Sequence, residues 1–229
     1  MADYPRIPIV SMQVGQYPYV LIYLYRRLFL RRRTFVHNGS EVEYFEHPYN
    51  RTWLNERSIE IPLVWKIMQQ YAPGDVLEIG NVISHYFRFG HVVVDKYEKR
   101  RGMLQRDVVG LTLPQKYRLI VTISTLEHVG WDESPRTPGK HLTALASLTG
   151  LLAPGGLLVA TLPIGYNPAL DDDLFAGRLG FNEVHFFKRI SRETWKQADA
   201  DEVKGSEYGV PFGAANAVAI GFTHSPEGS

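Results

Sequence analysis

From Gly74 onward, the sequence alternates short runs rich in β-branched residues with polar or helical segments. The runs comprise residues 75–79, 91–95, 117–123 and 156–162. This alternation is typical of βαβ units, in which crossover segments join the parallel strands of one sheet. Only residues 80–90 separate the first two runs, so the crossover between them must be very short or irregular. The sequence therefore predicts a compact α/β fold with a mostly parallel sheet.

The segments that follow complete this prediction. Residues 140–152 have helical character, and Pro154-Gly155-Gly156 supplies a stop and a tight turn into the next strand. Residues 182–189 and 214–222 are predicted to form an antiparallel pair of terminal strands. We predict a loop over residues 167–180, which contain three consecutive aspartates.

The N-terminal third has a different pattern. Residues 34–37 and 41–45 flank Asn38-Gly39, a pair that tolerates the positive φ angles of a tight hairpin turn. A helix is predicted from Ile59 to Tyr71. We therefore divide the chain into an N-terminal extension (1–70), a main domain (71–224) and a mobile tail (225–229).

An amphipathic helix is possible between Tyr17 and Leu30, and arginines end this apolar stretch. Its apolar face would carry Val20, Tyr23, Leu24 and Leu28. Two interpretations stay open. The helix packs on its own domain or on the partner of a homo-oligomer, or it contacts a membrane surface. The stretch is too short and too charged to span a bilayer.

Composition excludes several classes of function. Lys and Arg total 25 against 24 Asp and Glu, so no global positive field attracts nucleic acid, and we expect no nucleic-acid partner. The absence of cysteine excludes disulfides, thiolate metal sites and a cysteine nucleophile. Residues 1–14 do not resemble a secretory signal, and we expect a cytoplasmic protein.

Polar residues follow the predicted strands at the ends where ligands bind in open α/β sheets. The first strand ends in Glu78-Ile79-Gly80, and the second ends in Asp95, whose carboxylate could accept hydrogen bonds from two ribose hydroxyls. A third strand, residues 117–123, runs into a polar turn that contains His128. A solvated carboxylate at the end of a strand is the alternative interpretation of Asp95.

The order of these segments resembles that of class I S-adenosylmethionine-dependent methyltransferases. The resemblance rests on Leu126-Glu127-His128 after the third of these runs and on Pro154-Gly155-Gly156 before the next, and it covers roughly residues 72–165. It implies a Rossmann-like, seven-stranded, mostly parallel sheet whose last strand is antiparallel, with S-adenosylmethionine as cofactor across the strand ends.

The resemblance also implies a set of cofactor-binding residues. Glu78 and Gly80 would lie near the methionine part and Asp95 at the ribose. Asp107 with Val108 would lie near the adenine, at a further strand expected around Val108-Val109. Asn81, Ser124 and Leu126 complete the predicted set, and Ser84 and His85 could add polar contacts.

The loop after the first strand departs from the family pattern. Val82 and Ser84 occupy the positions of the second and third glycines, and a Cβ at residue 82 restricts the backbone and takes space near the cofactor. The alternative to an enzyme is therefore a non-catalytic binding or scaffold protein with the same fold. A nicotinamide-dependent oxidoreductase fits the glycine pattern less well.

For catalysis we predict His128 as the base, because it follows the strand at the expected acceptor position and an imidazole titrates near neutral pH. His85 and Tyr86 are the reserve candidates. We predict no metal, because Asp132 and Glu133 beside His128 are more often solvated than ligating. The acceptor is predicted to be a small molecule, such as a sugar, a glycan precursor or a secondary metabolite, methylated on oxygen. The N-terminal hairpin and arginines could cover it as a lid.

Overall fold

The computed structural model describes residues 17–29 and 32–227. The helices are α1 (Tyr17–Phe29), α2 (Arg57–Met68), α3 (Lys140–Thr149), α4 (Pro168–Phe175) and α5 (Ala200–Val203). Two strands form a separate hairpin, β1 (Thr34–His37) and β2 (Ser40–Glu43). The other strands are β3 (Val76–Ile79), β4 (Val92–Asp95), β5 (Leu104–Gln105), β6 (Tyr117–Ile123), β7 (Leu152–Pro163), β8 (Glu183–Ser191), β9 (Thr194–Ala198) and β10 (Ala217–His224). Short 3-10 helices span Tyr49–Leu54, Pro73–Asp75, Ile83–His85 and Leu126–His128.

One sheet organises the molecule, with the strand order β5-β4-β3-β6-β7-β10-β8-β9. Strands β5, β4, β3, β6 and β7 are parallel, and β10 runs antiparallel between β7 and β8. The order reverses direction between β3 and β6, because β3 is followed along the chain by β4 on its other side. Such a switch point opens a crevice at the carboxyl ends of the strands.

The predicted Rossmann-like α/β fold is confirmed, including the antiparallel pairing of the two terminal strands, β8 and β10. The sheet has eight strands where seven were predicted. The additional strand is β9, which pairs antiparallel with β8 at the edge of the sheet. The short, irregular crossover between the first two strands is also as predicted, because a single 3-10 turn replaces the usual helix there.

Apolar side chains cover both faces of the sheet. Successive residues of a strand point to opposite faces, so Val76 packs with α2 and the N-terminal segment, whereas Leu77 packs with α3 and α4. Both side chains are completely buried. The N-terminal segment thus covers one face of the sheet, while the division of the chain at residue 70 stays a prediction.

Helix α1 contacts the domain through the charged side chain of Arg26 and the ring of Tyr23, which lies near that of His47. Arg26 is buried and pairs with Glu46 at 2.6 Å and with Glu193 at 3.0 Å. Leu24 and Leu28, predicted on the packed face, are 43% and 72% exposed. The position of Arg26 does not follow from the local sequence, because its carboxylate partners lie 20 and 167 residues away along the chain. A partner copy or a membrane surface at the exposed face stays a prediction.

The hairpin turn at Asn38-Gly39 is confirmed, with φ angles of 49° and 74°. The hairpin lies against the β8-β9 edge of the sheet, where Phe35 contacts the ring of Phe187 and Asn38 bonds Gln197. Neither β1 nor β2 lines a cleft of the site described below. Of the N-terminal arginines, Arg51 lines one of these clefts, and the lid role of the hairpin stays a prediction.

Three local predictions are corrected. Residues 168–175 form α4 rather than a loop, because Asn167 caps the helix by accepting the Leu170 N–H. The strand predicted around Val108 is instead the two-residue β5, which precedes it. The tail begins with Ser225 and Pro226 bonded to Gly156 and Gly155, so its start is not free.

Within the described residues, no helix is both long enough and apolar enough to cross a membrane.

The packing of the sheet predicts that the same Leu→Ala change lowers the free energy of unfolding much more at a buried position than at an exposed one. Leu158→Ala removes a fully buried side chain of β7 and should lower the free energy of unfolding by about 2–5 kcal/mol. Leu21→Ala, the same change at a side chain that is 70% exposed, should cost less than about 0.5 kcal/mol. Urea unfolding followed by circular dichroism measures both, and equal losses would contradict the assignment of the core.

Candidate functional site

A cleft of about 480 Å³ opens at the switch point, and we name it the switch-point cleft. Its walls come from the carboxyl ends of β3, β4 and β6 and from the loops that follow them. The residues that line it are Ile79, Gly80, Asn81, Val82, Val94, Asp95, Lys96, Tyr97, Arg106, Asp107, Val108, Ser124, Thr125, His128, Val129, Asp132 and Glu133. Its volume lies within the range of roughly 300–1,000 Å³ that small-molecule sites occupy.

Gly80 allows the ends of β3 and β6 to approach each other. Its φ is +78°, in the left-handed region that side-chain-bearing residues rarely adopt. A Cβ at this position would overlap the side chain of Thr125, so another residue fits only if that side chain or the turn moves. The predicted role of Gly80 as a turn at the cofactor edge therefore agrees with its position.

Glu78 holds the loop that follows β3 through hydrogen bonds, and it does not line the cleft. Its Oε1 accepts the N–H groups of Val82 and Ile83 at 2.8 and 2.7 Å, and its Oε2 lies 2.6 Å from Nε2 of His91. The side chain is completely buried. Glu78 thus orders the loop by hydrogen bonding and, contrary to the sequence prediction, lines no part of this cleft.

The two residues in place of glycines do not require a left-handed backbone. Val82 has φ −110°, which a β-branched residue adopts readily, and its side chain packs at the edge of the core while lining the cleft. The hydroxyl of Ser84 bonds the side chain of Asn81. The loop is therefore built differently from a glycine-rich turn, and the cleft beside it stays open.

Asp95 is held rigidly at the end of β4. Its Oδ1 accepts the N–H groups of Tyr97 and Glu98 at 2.8 and 2.7 Å, and its Oδ2 accepts that of Asn81 at 3.1 Å. An ionised carboxylate offers about four acceptor sites, so capacity remains for a ligand hydroxyl. A fixed acceptor facing a cleft suits the ribose contact that the sequence predicts.

An ion-pair network lies at the far end of the same cleft. Lys96 contacts Asp107 at 2.9 Å and Glu133 at 2.7 Å, and Lys140 contacts Glu133 at 2.6 Å. Partial burial opposes the ionisation of Asp107, but the Val109 N–H and the two lysines lower the pKa of its carboxyl. Asp107 is therefore ionised and oriented beside Val108, both of them within the cleft as predicted.

A second cleft of about 500 Å³ adjoins the first, and we name it the lateral cleft. Its walls come from the segment before α2, from the end of β7 and from the loops around β9 and β10. The residues that line it are Asn50, Arg51, Leu54, Asn55, Glu56, Arg57, Ser124, Glu127, His128, Pro163, Tyr166, Arg192, Tyr208, Phe212, Gly213 and Ala214.

Ser124 and His128 line both clefts and form the junction between them. Ser124 is held with φ +41°, a strained conformation for a residue with a side chain. Its N–H bonds Thr161, and its hydroxyl donates to Oε1 of Glu60 at 2.7 Å. These contacts turn the chain sharply after β6, and the turn brings His128 to the junction.

His128 has the arrangement of an oriented base. Its Nδ1 lies 2.5 Å from Oδ2 of Asp132, which also accepts the hydroxyl of Tyr166 at 2.9 Å. The ring of Tyr166 packs edge-on at 4.7 Å. A carboxylate at Nδ1 favours the tautomer that carries its proton there, leaving Nε2 free to accept one. Burial and then the hydrogen bond to Asp132 raise the pKa of the Tyr166 hydroxyl, so it remains a donor.

Buried carboxylates form the floor of the lateral cleft. Glu60 pairs with Arg57 and accepts from Ser124, and Oε2 of Glu56 accepts the Ala215 N–H at 3.2 Å. Glu127 is 1% exposed, and its backbone carbonyl accepts from Asn167. Burial, followed by the neighbouring Glu56 and Glu127, raises the pKa of Tyr208 at the rim to about 12.

Most predicted site residues come together here. The switch-point cleft contains Gly80, Asn81, Asp95, Asp107, Val108, Ser124 and His128. Leu126 does not line it, because its side chain is fully buried in the core. The reserve bases line neither cleft. His85 stacks on Tyr49, and Tyr86 packs against Phe45.

The sequence analysis missed most of the lateral cleft. Tyr166 follows β7 closely in the sequence, whereas Glu56, Arg57, Arg192 and Tyr208 have no local signal that predicts a pocket. Among the described residues, no group of three or more His, Asp or Glu side chains is placed to hold a metal ion. Glu133, weighed as a ligand, is engaged by two lysines.

No family model and no curated protein matches this chain. Solved structures similar to it include N-methyltransferase NodS from Bradyrhizobium japonicum with S-adenosyl-L-homocysteine (15% identity; 75% of this chain and 88% of that chain; TM-score 0.47). A possible histamine N-methyltransferase from Thermotoga maritima is 15% identical over 71% of this chain and 87% of that chain, with a TM-score of 0.42. An S-adenosylmethionine-dependent methyltransferase from Clostridium acetobutylicum is 11% identical over 72% of this chain and 89% of that chain, with a TM-score of 0.37.

The strand order itself establishes the fold of this chain, independently of these likenesses. The order β5-β4-β3-β6-β7-β10-β8 with antiparallel β10 is the seven-stranded arrangement that the resemblance to class I methyltransferases implies, extended by β9. The chain therefore has the Rossmann-like fold of that class.

Because Gly80 lies against Thr125, adding one methyl group at residue 80 should change the affinity for the cofactor product strongly. Gly80→Ala should weaken S-adenosylhomocysteine binding at least about tenfold, because relieving the overlap displaces the β3 turn. Gly177→Ala is the matched control, since it has φ +71° with no atom within 4 Å of the added Cβ. Both changes carry the positive-φ cost of roughly 1–2 kcal/mol. Calorimetry measures the affinities, and unchanged binding in Gly80→Ala would contradict the placement.

Proposed function

We propose that this protein is an S-adenosylmethionine-dependent methyltransferase that methylates an oxygen of a small polar molecule. The switch-point cleft would hold the cofactor, and the lateral cleft would hold the acceptor. The observation that carries this proposal is the junction, where Ser124 and His128 line two clefts of similar volume. A group-transfer enzyme needs two ligands that meet at one point, and this junction provides that point.

The residues of the switch-point cleft fit this cofactor. Asp95 retains acceptor capacity for ribose hydroxyls, and Asp107 is an ionised acceptor farther along the cleft. Gly80 keeps the β3 turn free of a side chain where the backbone would meet a ligand. When bound, S-adenosylmethionine supplies an electrophilic methyl group on a sulfonium.

The protein's own contribution at the junction is alignment and proton removal. Nε2 of His128 would accept the proton of the acceptor hydroxyl, while Asp132 fixes the ring and stabilises the imidazolium that results. Tyr166 holds Asp132 in place from the other side. Ser124 and the segment before α2 would position the acceptor in line with the methyl group.

The lining of the lateral cleft supports a polar acceptor such as a sugar, a glycan precursor or a hydroxylated secondary metabolite. Asn50, Asn55 and Tyr208 offer neutral hydrogen-bonding groups, and Arg51 and Arg192 are exposed at the rim. Phe212 adds an apolar surface on which a ring could pack.

Calorimetry with S-adenosylmethionine and S-adenosylhomocysteine tests the proposed function directly. We expect binding well below millimolar concentration, with one site per chain. Absence of binding below millimolar concentration for both compounds would remove the proposal and leave a non-catalytic protein with this fold.

The loop of Val82 and Ser84 distinguishes the enzyme from the scaffold alternative. Because Val82 is unstrained and Glu78 already orders the loop, the double change Val82→Gly with Ser84→Gly should leave S-adenosylhomocysteine affinity equal or lower. Calorimetry of both proteins measures this. A marked gain in affinity would show that the two side chains obstruct the cofactor, as the scaffold alternative requires.

His128 is expected to act in the chemical step rather than in cofactor binding. His128→Ala should lower kcat by about 10²–10⁴-fold, the usual contribution of a general base. Asp132→Asn should lower it less, because it disturbs the orientation of the ring only. Methyl transfer to a panel of hydroxylated acceptors, read by mass spectrometry, measures both.

The control for this series is His224→Ala, an exposed histidine at the end of β10 that lines neither cleft. It should retain full activity. S-adenosylhomocysteine affinity should change less than about threefold in all three variants, because alignment and not binding is lost. Undiminished transfer by His128→Ala would clear this residue of a catalytic role.

A further inference from the structure

Carboxyl groups are concentrated at the buried floor of the lateral cleft, which Glu56 and Glu127 line, and just behind it, where Glu60 bonds Ser124. Three carboxylates lie there, on Glu56, Glu60 and Glu127, each at most 7% exposed. Arg57 pairs with Glu60, and Arg189 is the other buried guanidinium near Glu56. Glu56 and Glu60 therefore each have a cation nearby, whereas Glu127 forms no ion pair with a guanidinium among the described residues.

Glu127 is also the carboxyl group with an unsatisfied atom. Its Oε2 is buried and has no hydrogen-bond partner among the described residues. Within the described part of the chain, its only ion-pair contact is between Oε1 and Nε2 of His128, at 3.6 Å. A buried acceptor without a donor is costly, and Glu127 is one of the residues that line the lateral cleft.

A ligand donor would satisfy this atom, and the charge around it selects the kind of donor. Glu56 and Glu60 add negative potential at Glu127, and burial strengthens it because little water screens it. A cationic N–H donor gains from this potential, whereas a neutral hydroxyl gains only a hydrogen bond.

We propose that the acceptor carries a protonated amine on the carbon next to the hydroxyl that is methylated, and that Glu127 binds this ammonium group. This inference rests on the proposed function. The 3.6 Å between Glu127 Oε1 and His128 Nε2 lets two neighbouring substituents engage both side chains at once, the hydroxyl at His128 and the ammonium at Glu127. The substrate class is thus a vicinal amino alcohol, such as an amino sugar.

A change in the protonation of Glu127 should accompany binding of an ammonium group and can be measured. Burial raises the pKa of its carboxyl well above the ordinary value, Arg57 opposes this, and Glu60 and Glu56 add to it. His128, Tyr166 and Tyr208 are the other titratable groups near Glu127, and Arg189 acts on the neighbouring Glu56. The free protein therefore holds a proton on Glu127 at a pH below this raised pKa, and an ammonium ligand favours its release.

Matched pairs of monosaccharides test the proposal on the full chain saturated with S-adenosylhomocysteine. Glucose, its 2-, 3- and 4-amino-deoxy derivatives and their N-acetyl forms are titrated by calorimetry in two buffers of different ionisation enthalpy that lack primary amines. We expect at least one free amino sugar to bind at least about tenfold more tightly than glucose and its own N-acetyl form. Its binding should release up to about one proton, whereas glucose should release none.

Glu127→Gln keeps the shape of the side chain and removes its charge. It should abolish the preference for the amine and the proton release, while S-adenosylhomocysteine affinity stays unchanged. Glu202→Gln is the matched control, because Glu202 is exposed, pairs with Lys196 and lines neither cleft. It should behave as the unmodified protein does.

The outcomes separate this inference from the proposed function. Equal affinity for sugars with and without the amine, no binding of any panel member, or proton release that persists in Glu127→Gln would each overturn the inference. With S-adenosylmethionine present, a product methylated on nitrogen would also overturn it. Failure to bind S-adenosylhomocysteine, in contrast, would remove the proposed function itself.

Discussion

The close contact between the ends of β3 and β6 is the constraint on which the site depends. Gly80 and Thr125 meet where the strand order reverses, and a Cβ at residue 80 would overlap the side chain of Thr125. This contact brings the β3 loop beside the turn of Ser124, so residues from two distant segments face one cleft. The turn at Ser124 then carries His128 to the junction with the lateral cleft.

Hydrogen bonds to three carboxylates keep this arrangement in one conformation. Glu78 binds two backbone N–H groups of the β3 loop, Asp95 binds three, and Glu60 holds the hydroxyl of Ser124. Each of these carboxylates satisfies donors that would otherwise be unpaired in a protein interior. The loop therefore does not need the usual glycines, since hydrogen bonds to Glu78 fix its path.

The parts of the fold that follow from local pattern were predictable. Strands β3, β4 and β6 are short apolar runs with polar ends, and the hairpin turn follows from Asn38-Gly39. Helix α4 was missed because its aspartates look solvated, although Asn167 before them is a good cap. The position of Arg26 could not be predicted, because its partners lie 20 and 167 residues away.

In the site, too, the residues set by local sequence were predictable, and those brought together from distant segments were not. Gly80, Asp95 and His128 each follow a strand directly, so the sequence places them at the edge of the sheet. The lateral cleft combines Glu56 and Arg57 with residues around position 208, and only the folded chain brings these together.

A crystal structure with S-adenosylhomocysteine tests the central claim that the two clefts meet at one reaction point. The account predicts the ribose at Asp95 and the sulfur facing the junction of Ser124 and His128. A sulfur directed away from the lateral cleft would contradict it.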